Sequence, residues 1–174
     1  MAAKNLGRTF EREIQQSALH LGWLYWKLAV PMSTRTNRTT NSTYLAKLQE
    51  PPYDAFLVHP HGGRHVALEF KSLAVRGTFP LKNIKDHQFD ALERVDQVGG
   101  MAWMVVRLPE PLEAWAIRGQ DLVKLRNDLA NLPKPRVSIP IGTLTDETKF
   151  TKVLRTRVEG KTIWDLRVLV DERT

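Results

Sequence analysis

Pro51–Ser72, PPYDAFLVHPHGGRHVALEFKS, contains two short strand-like runs, Asp54–Val58 and His65–Lys71, around a turn carrying Gly62 and Gly63. Side chains alternate between the faces of a strand, so Ala67, Glu69 and Lys71 share one side, opposite Leu68 and Phe70. Asp54, Phe56 and Val58 likewise point one way. A hairpin built like this can gather Asp54, Glu69 and Lys71 at one end of a sheet. Two carboxylates beside an amine suit a divalent cation with a positive partner, the chemistry that phosphodiester hydrolysis needs.

Working outward, Lys4–Leu21 is predicted to be an amphipathic helix. Phe10, Ile14, Ala18 and Leu21 recur at helical spacing, and Gly22 stands where a C-terminal cap is expected. Glu11 borders the apolar stripe, where it is either a solvated charge or a group leaning over the core edge toward Asp54 and Glu69. Trp23–Leu28 (WLYWKL) is predicted as a strand between Gly22 and Pro31. From Met32 to Pro52 the composition changes. Ser33–Thr43 (STRTNRTTNST) has no apolar residue to bury, which predicts either a disordered surface loop or a flexible arm carrying Arg35, Arg38 and Lys47 to phosphates. No acid occurs between Met32 and Gln49, which favours the arm.

After the hairpin, Leu73–Asn83 is predicted as a loop with Gly77 and Pro80 as breakers, followed by a helix over Ile84–Val98 that turns Phe89, Leu92 and Val95 inward. Met101–Arg107 is apolar enough for a strand buried on both faces, and Leu112–Ile117 for its neighbour. Gln120–Asn131 predicts a further helix. Beyond it, prolines at 133, 135 and 140 punctuate an extended segment, and Val153–Val158 and Thr162–Val168 predict an extra hairpin turning at Glu159–Lys161. The expected organisation is a core over 1–132, with 32–50 as a flexible basic stalk. Residues 133–174 form a C-terminal extension packed on the same domain.

Composition bounds the chemistry. The 174 residues carry a net charge of +7 and are 42% hydrophobic, values that suit a folded domain with a polyanionic partner. The absence of cysteine removes disulfides, thiolate metal sites and cysteine nucleophiles. No signal peptide and no membrane span are expected, which predicts a cytoplasmic protein, in a bacterial cell or in a host if phage-encoded. The glycosylation triplets at Asn37 and Asn41 then carry no meaning. His59, His61 and His65 flank one turn and invite a zinc reading, but turn histidines are usually solvated. The five tryptophans each lie in an apolar run and are expected in the core rather than as a stacking platform.

Asp54 precedes Glu69 by fifteen positions, and Glu69-Phe70-Lys71 supplies a Glu-x-Lys half-motif. This resembles the PD-(D/E)xK nuclease superfamily, although Tyr53 separates Pro52 from Asp54. Gly7-x-x-Phe10-Glu11 is similar to the opening of RecU-type and archaeal Hjc-type Holliday junction resolvases. Phe79-Pro80-Leu81-x-Asn83-Ile84-x-x-His87-Gln88 resembles the RecU segment after the Glu-x-Lys strand. The long polar insert also fits RecU, whose stalk projects into the junction centre, whereas Hjc proteins lack so long an arm. The resemblance covers about Gly7 to Ile117 and fails from Pro133 onward.

The resemblance implies an α/β (α+β) restriction-endonuclease-like fold, a mixed central β-sheet flanked by helices, with an αβββαβ core and an extra C-terminal β-hairpin. It implies metal-dependent cutting of four-way DNA junctions by a homodimer. Glu11, Asp54, Glu69 and the Phe70 carbonyl would hold Mg²⁺, with Mn²⁺ as a substitute. Lys71 would orient water or stabilise the transition state, and Gln88 would position water or phosphate. Arg8, Arg35, Arg38, Lys47, Arg76, Lys82 and Lys85 would line the DNA channel. Another nuclease on the same scaffold, of restriction or single-strand-processing type, is the alternative within the enzymes, and a non-catalytic DNA-binding module the alternative outside them.

Overall fold

The computed structural model describes residues 3–37, 39–47, 50–109 and 111–170. Helix α1 (Ala3–His20) leads into β1 (Leu24–Lys27), then β2 (Met32–Thr36), β3 (Thr43–Lys47), β4 (Ala55–Val58) and β5 (His65–Ser72). A short β6 (Thr78–Pro80) and one 3-10 turn precede α2 (Asp86–Gln97), followed by β7 (Met101–Leu108), β8 (Glu113–Arg118) and α3 (Gly119–Ala130). The tail holds β9 (Ser138–Pro140), a single helical turn α4 (Ile141–Leu144), β10 (Thr151–Val153), β11 (Arg155–Val158) and β12 (Lys161–Trp164), and closes on a second 3-10 turn, Leu166–Leu169.

Six strands form the central sheet in the order β1-β4-β5-β7-β8-β10, with β5 and β7 parallel and every other pair antiparallel. The parallel step exists because α2 carries the chain across the sheet between β5 and β7. One face buries Leu57, Leu68, Phe70 and Val105 against Phe10 and Ile14 of α1. The other buries Ala67, Met104 and Ile117 against Phe89 and Leu92 of α2 and Leu122 of α3. A mixed sheet with helices on both sides is the expected fold class, and the parity expected of the hairpin holds: Ala55 and Leu68 pair across one face, Phe56 and Ala67 across the other. Gly62 and Gly63 make the hairpin turn at φ +84° and +60°, conformations that side chains with a Cβ resist. Gly119 serves a different need: a Cβ there would lie 2.6 Å from the Leu92 carbonyl carbon, so the start of α3 can approach α2 only as glycine.

Four expectations need correction. Ser33–Thr43 is not a disordered loop, because β2 and β3 pair from Met32↔Lys47 to Thr36↔Thr43 as a separate two-stranded ribbon. Its β-branched threonines suit a pleated backbone even with nothing to bury. Leu73–Asn83 is not all loop, since β6 pairs with β9 and places the fully buried Phe79 opposite the fully buried Ile139. The C-terminal run beginning at Val153 is divided. Thr151–Val153 extends the central sheet beside β8, Arg155–Val158 and Lys161–Trp164 form the hairpin, and Leu166–Leu169 turns back onto the core. Trp26 is not core: it is 58% exposed on the edge strand and stacks on Phe56, while the other four tryptophans are buried.

The tail is stitched to the core at several points. The Trp164 backbone N–H donates to Ser17 Oγ (2.8 Å), its indole N–H donates to Glu13 Oε2 (3.1 Å), and the Trp103 indole donates to the Leu169 carbonyl (3.0 Å). Among the described residues, no helix is long and apolar enough to cross a membrane.

Candidate active site

The hairpin delivers two carboxylates to one spot. Asp54 ends the turn into β4, its N–H bonded to the Leu68 carbonyl (3.0 Å), so it lies level with Glu69 on the neighbouring strand. The Phe70 N–H donates to Asp54 Oδ2 at 2.8 Å and fixes that carboxylate. Glu69 is 1% exposed. Its Oε1 accepts from Lys71 Nζ (2.7 Å) and from Gln88 Nε2 (2.7 Å), while Oε2 is buried with no hydrogen-bond donor among the described residues. Lys71 follows Glu69 by two positions on the same face of β5, which is why its amine reaches that carboxylate. Gln88 is held in turn, since its Oε1 accepts from Lys71 Nζ (3.2 Å) and from the Lys85 backbone N–H (3.0 Å). One glutamine thereby caps the start of α2 and clamps the acid.

Burial sets the electrostatics. Desolvation raises the Asp54 pKa, with the Phe70 N–H and the Lys71 charge opposing it. Desolvation, reinforced by the Asp54 charge, pushes Glu69 up to about 7 from an ordinary 4.5, against the pull of Lys71. The two carboxyl groups are near enough to share a proton. Two ionised carboxylates are both acceptors, so without that proton Glu69 Oε2 stays unsatisfied. A buried, unpartnered acceptor in a pair of interacting carboxyl groups, with an ammonium already spent on the other oxygen, fits a small divalent cation.

Glu11 sits apart from this pair on α1. Its Oε1 accepts from the Tyr25 hydroxyl at 3.4 Å, and its carboxylate pairs with Lys27. Its charge still contributes to raising Asp54, so it stands near the cluster. Burial and Glu11 together push the Tyr25 hydroxyl well above its ordinary value. Among the described residues, no group of three or more His, Asp or Glu side chains is arranged to hold a metal ion. The structure therefore brings Asp54, Glu69, Lys71 and Gln88 into contact, with Glu11 at the margin. Tyr25 and Lys27, which hold Glu11, were not picked out from the sequence. Their alternation on β1 was the available signal, since both point to the α1 face.

The candidate DNA contacts differ in their surroundings. Arg8, Arg35 and Lys82 are exposed. Lys85 pairs with Glu50, and Arg76 lies 3.5 Å from Glu113. Arg38 and the side chain of Lys47 lie outside the described residues. Of the turn histidines, His59 Nδ1 bonds the His61 carbonyl oxygen (2.8 Å), and His65 stacks on Phe56.

No curated protein sequence matches the chain. Among solved structures, a Holliday junction resolvase, Hjc, from the archaeal hyperthermophile Archaeoglobus fulgidus is similar at a TM-score of 0.48 and 14% identity, over 79% of this chain and 91% of that one. The sequence model of recombination protein U (RecU) matches residues 5–156, which carries the likeness past Pro133 and into the tail. With that span matched, the chain belongs to the recombination protein U (RecU) family of Holliday junction resolvases, endonucleases that cleave four-way DNA junctions.

Proposed function

We propose that Asp54 and Glu69 are the acidic centre of the junction-cutting reaction, with Glu11 and the Phe70 carbonyl as further oxygen donors and Mg²⁺ as the working ion. Mn²⁺ accepts the same hard ligands. The observation that carries this reading is Glu69 Oε2, buried and without a donor beside a second carboxylate whose pKa is also raised. A bound divalent ion supplies charge neutralisation at the scissile phosphate and acidifies water.

The remaining work falls to the chain. Gln88 and Lys71 grip Oε1 of Glu69 and so leave Oε2 free for a cation. The Phe70 N–H prevents Asp54 from rotating away. Lys71 is mostly buried, at 16% exposure, so its charge acts on a developing phosphorane through little intervening water. A junction presents two opposed strands to be cut, and a two-fold homodimer with one such site per subunit cuts both symmetrically. Arg8, Arg35, Arg38, Lys47, Arg76, Lys82 and Lys85 supply phosphate contacts around it, which recognise backbone shape rather than base edges. The protein acts in the cytoplasm, where recombining DNA lies.

Synthetic four-way junctions with labelled arms, with and without Mg²⁺, test the reading. Paired symmetrical nicks in Mg²⁺, lost on Asp54→Asn, are expected. Equal cutting of linear duplex would defeat junction selectivity, and full activity of Asp54→Asn would remove Asp54 from the site.

A further inference from the structure

A second basic feature leads away from the acidic centre, on ground that the candidate DNA-binding residues only partly cover. A groove of about 890 Å³ runs between α2, α3 and the segment leading into β9. Lys82, Lys85, Arg126 and Arg136 line it, and Asp86 is the one acid among the lining residues. Lys82 and Arg136 are exposed and have no acidic partner among the described residues. Arg126 lies 4.2 Å over the Phe89 ring and only 3.5 Å from the highly exposed Asp86 carboxylate, so its guanidinium is positioned without being neutralised in a buried pair.

The segment carrying Arg136 is fixed at both sides. The Arg136 N–H donates to the Leu129 carbonyl at the end of α3 (3.0 Å), and the Leu81 N–H donates to the Val137 carbonyl (2.9 Å). These two bonds and the β6–β9 pairing set the otherwise extended segment against the groove, and Lys134, also exposed, follows the same stretch. None of Asp54, Glu69, Lys71 or Gln88 lines the groove, but one backbone bond links its wall to them. Lys85, at its rim, gives its backbone N–H to Gln88, which holds Glu69.

We propose that this groove holds the phosphate backbone of one duplex arm of the junction, with α3 and the tail supplying Arg126 and Arg136 to its phosphates. The inference rests on the resolvase reading and assigns a task to the segment after Pro133. An acidic protein segment would also satisfy the charge. Four cations against the single Asp86, on a wall bonded through Lys85 to Gln88, favour the polyanion already being cut.

Binding of a fluorescent four-way junction, measured in Ca²⁺ across a range of salt concentrations, tests it. Removing one cation–phosphate interaction lowers the slope of log K against log salt by about 1. Arg136→Gln, an exposed position with no packing to lose, removes one contact from each subunit of the dimer and is expected to reduce the slope by about 2 and weaken binding at moderate salt. Arg126→Gln/Arg136→Gln, about four contacts per dimer, is expected to reduce the slope by about 4, and Arg136→Lys to restore it. An unchanged slope for Arg136→Gln overturns the groove on its own, whatever Arg126→Gln does to folding through Phe89. Wild-type cutting is followed in parallel. Its absence would sink the resolvase reading, whereas intact cutting with unchanged slopes would sink only the groove.

Discussion

Glu69→Gln tests the electrostatic account most directly, because the change removes a charge while keeping the shape. In the metal-free protein the folded-state pKa of Glu69 is near 7 against an ordinary 4.5. A carboxyl whose pKa is raised on folding binds in the folded state a proton that the unfolded chain has already given up. Its contribution is therefore fully present below pH 4.5 and is lost as pH rises to 7. The shift corresponds to about 3 kcal/mol of stability lost by pH 8, using 1.36 kcal/mol per pH unit. Asp54 is shifted the same way and adds to the trend. Glu113, Asp146 and Asp165 are shifted down, so their contributions change only at lower pH and leave this window clear. A glutamine at 69 keeps an acceptor for Lys71 and Gln88 and replaces the unpartnered Oε2 with a donor. In EDTA at pH 8, urea unfolding should find Glu69→Gln more stable than wild type by about 2–3 kcal/mol, the difference shrinking toward nothing near pH 4.5. Millimolar Mg²⁺ should close the gap by stabilising wild type alone, since a ligand that binds only the folded state adds to its stability. A variant less stable than wild type at pH 8, or a metal-free wild type that gains stability from pH 5 to pH 8, would refute the reasoning.

Asp54→Asn should lower single-turnover junction cutting by about three orders of magnitude while leaving junction affinity in Ca²⁺ within about threefold, because the residues that meet phosphate lie elsewhere. Lys71→Met should slow single-turnover cutting by about 10²–10³, the usual effect of removing a buried transition-state charge, and normal cutting by this variant would deny it that role. Deleting Ser33–Thr43 should cripple junction cutting and leave the melting temperature nearly unchanged, since the ribbon is a separate two-stranded sheet; a large fall in melting temperature would show that it supports the core. Trp164→Ala should cost about 3–5 kcal/mol in urea unfolding, because a fully buried indole and its bond to Glu13 are removed together.

Strand parity made the hairpin legible: once Asp54 and Glu69 share a side, sequence alternation alone places them as neighbours. Depth was not legible in the same way. Alternation says which face Glu69 takes but not that α2 closes over it, so neither its 1% exposure nor the orphaned Oε2 could be read in advance. The ribbon escapes a burial-based reading of Ser33–Thr43, because most of its second strand, with Tyr44, Leu45 and Ala46, lies beyond that segment and pairs back onto it. Its turn is nevertheless written in Asn37, whose Oδ1 accepts from the Thr39 and Thr40 N–H groups, and in Asn41 at φ +52°. The β6–β9 pairing was invisible for another reason. Three-residue strands ending in proline and far apart in the chain carry no local pattern. Trp26 shows the limit of composition, since an aromatic-rich run on an edge strand need bury only one of its faces.

The placement of the acids follows from how the core is divided. After the exposed His65, β5 is apolar on both faces until Glu69, with Leu68 and Phe70 packed toward α1 and Ala67 toward α2. Phe10 meets Phe70 edge-on, with ring centroids 6.0 Å apart, and the backbone N–H of that same Phe70 holds Asp54. The packing of α1 thus fixes the residue that orients one carboxylate, while Gln88 at the start of α2 orients the other. Each helix controls one acid from its own side of the sheet. The destabilising burial of both is tolerated only because the two cores hold β5 rigid between them. Loosening either core should therefore disturb the site before it unfolds the protein.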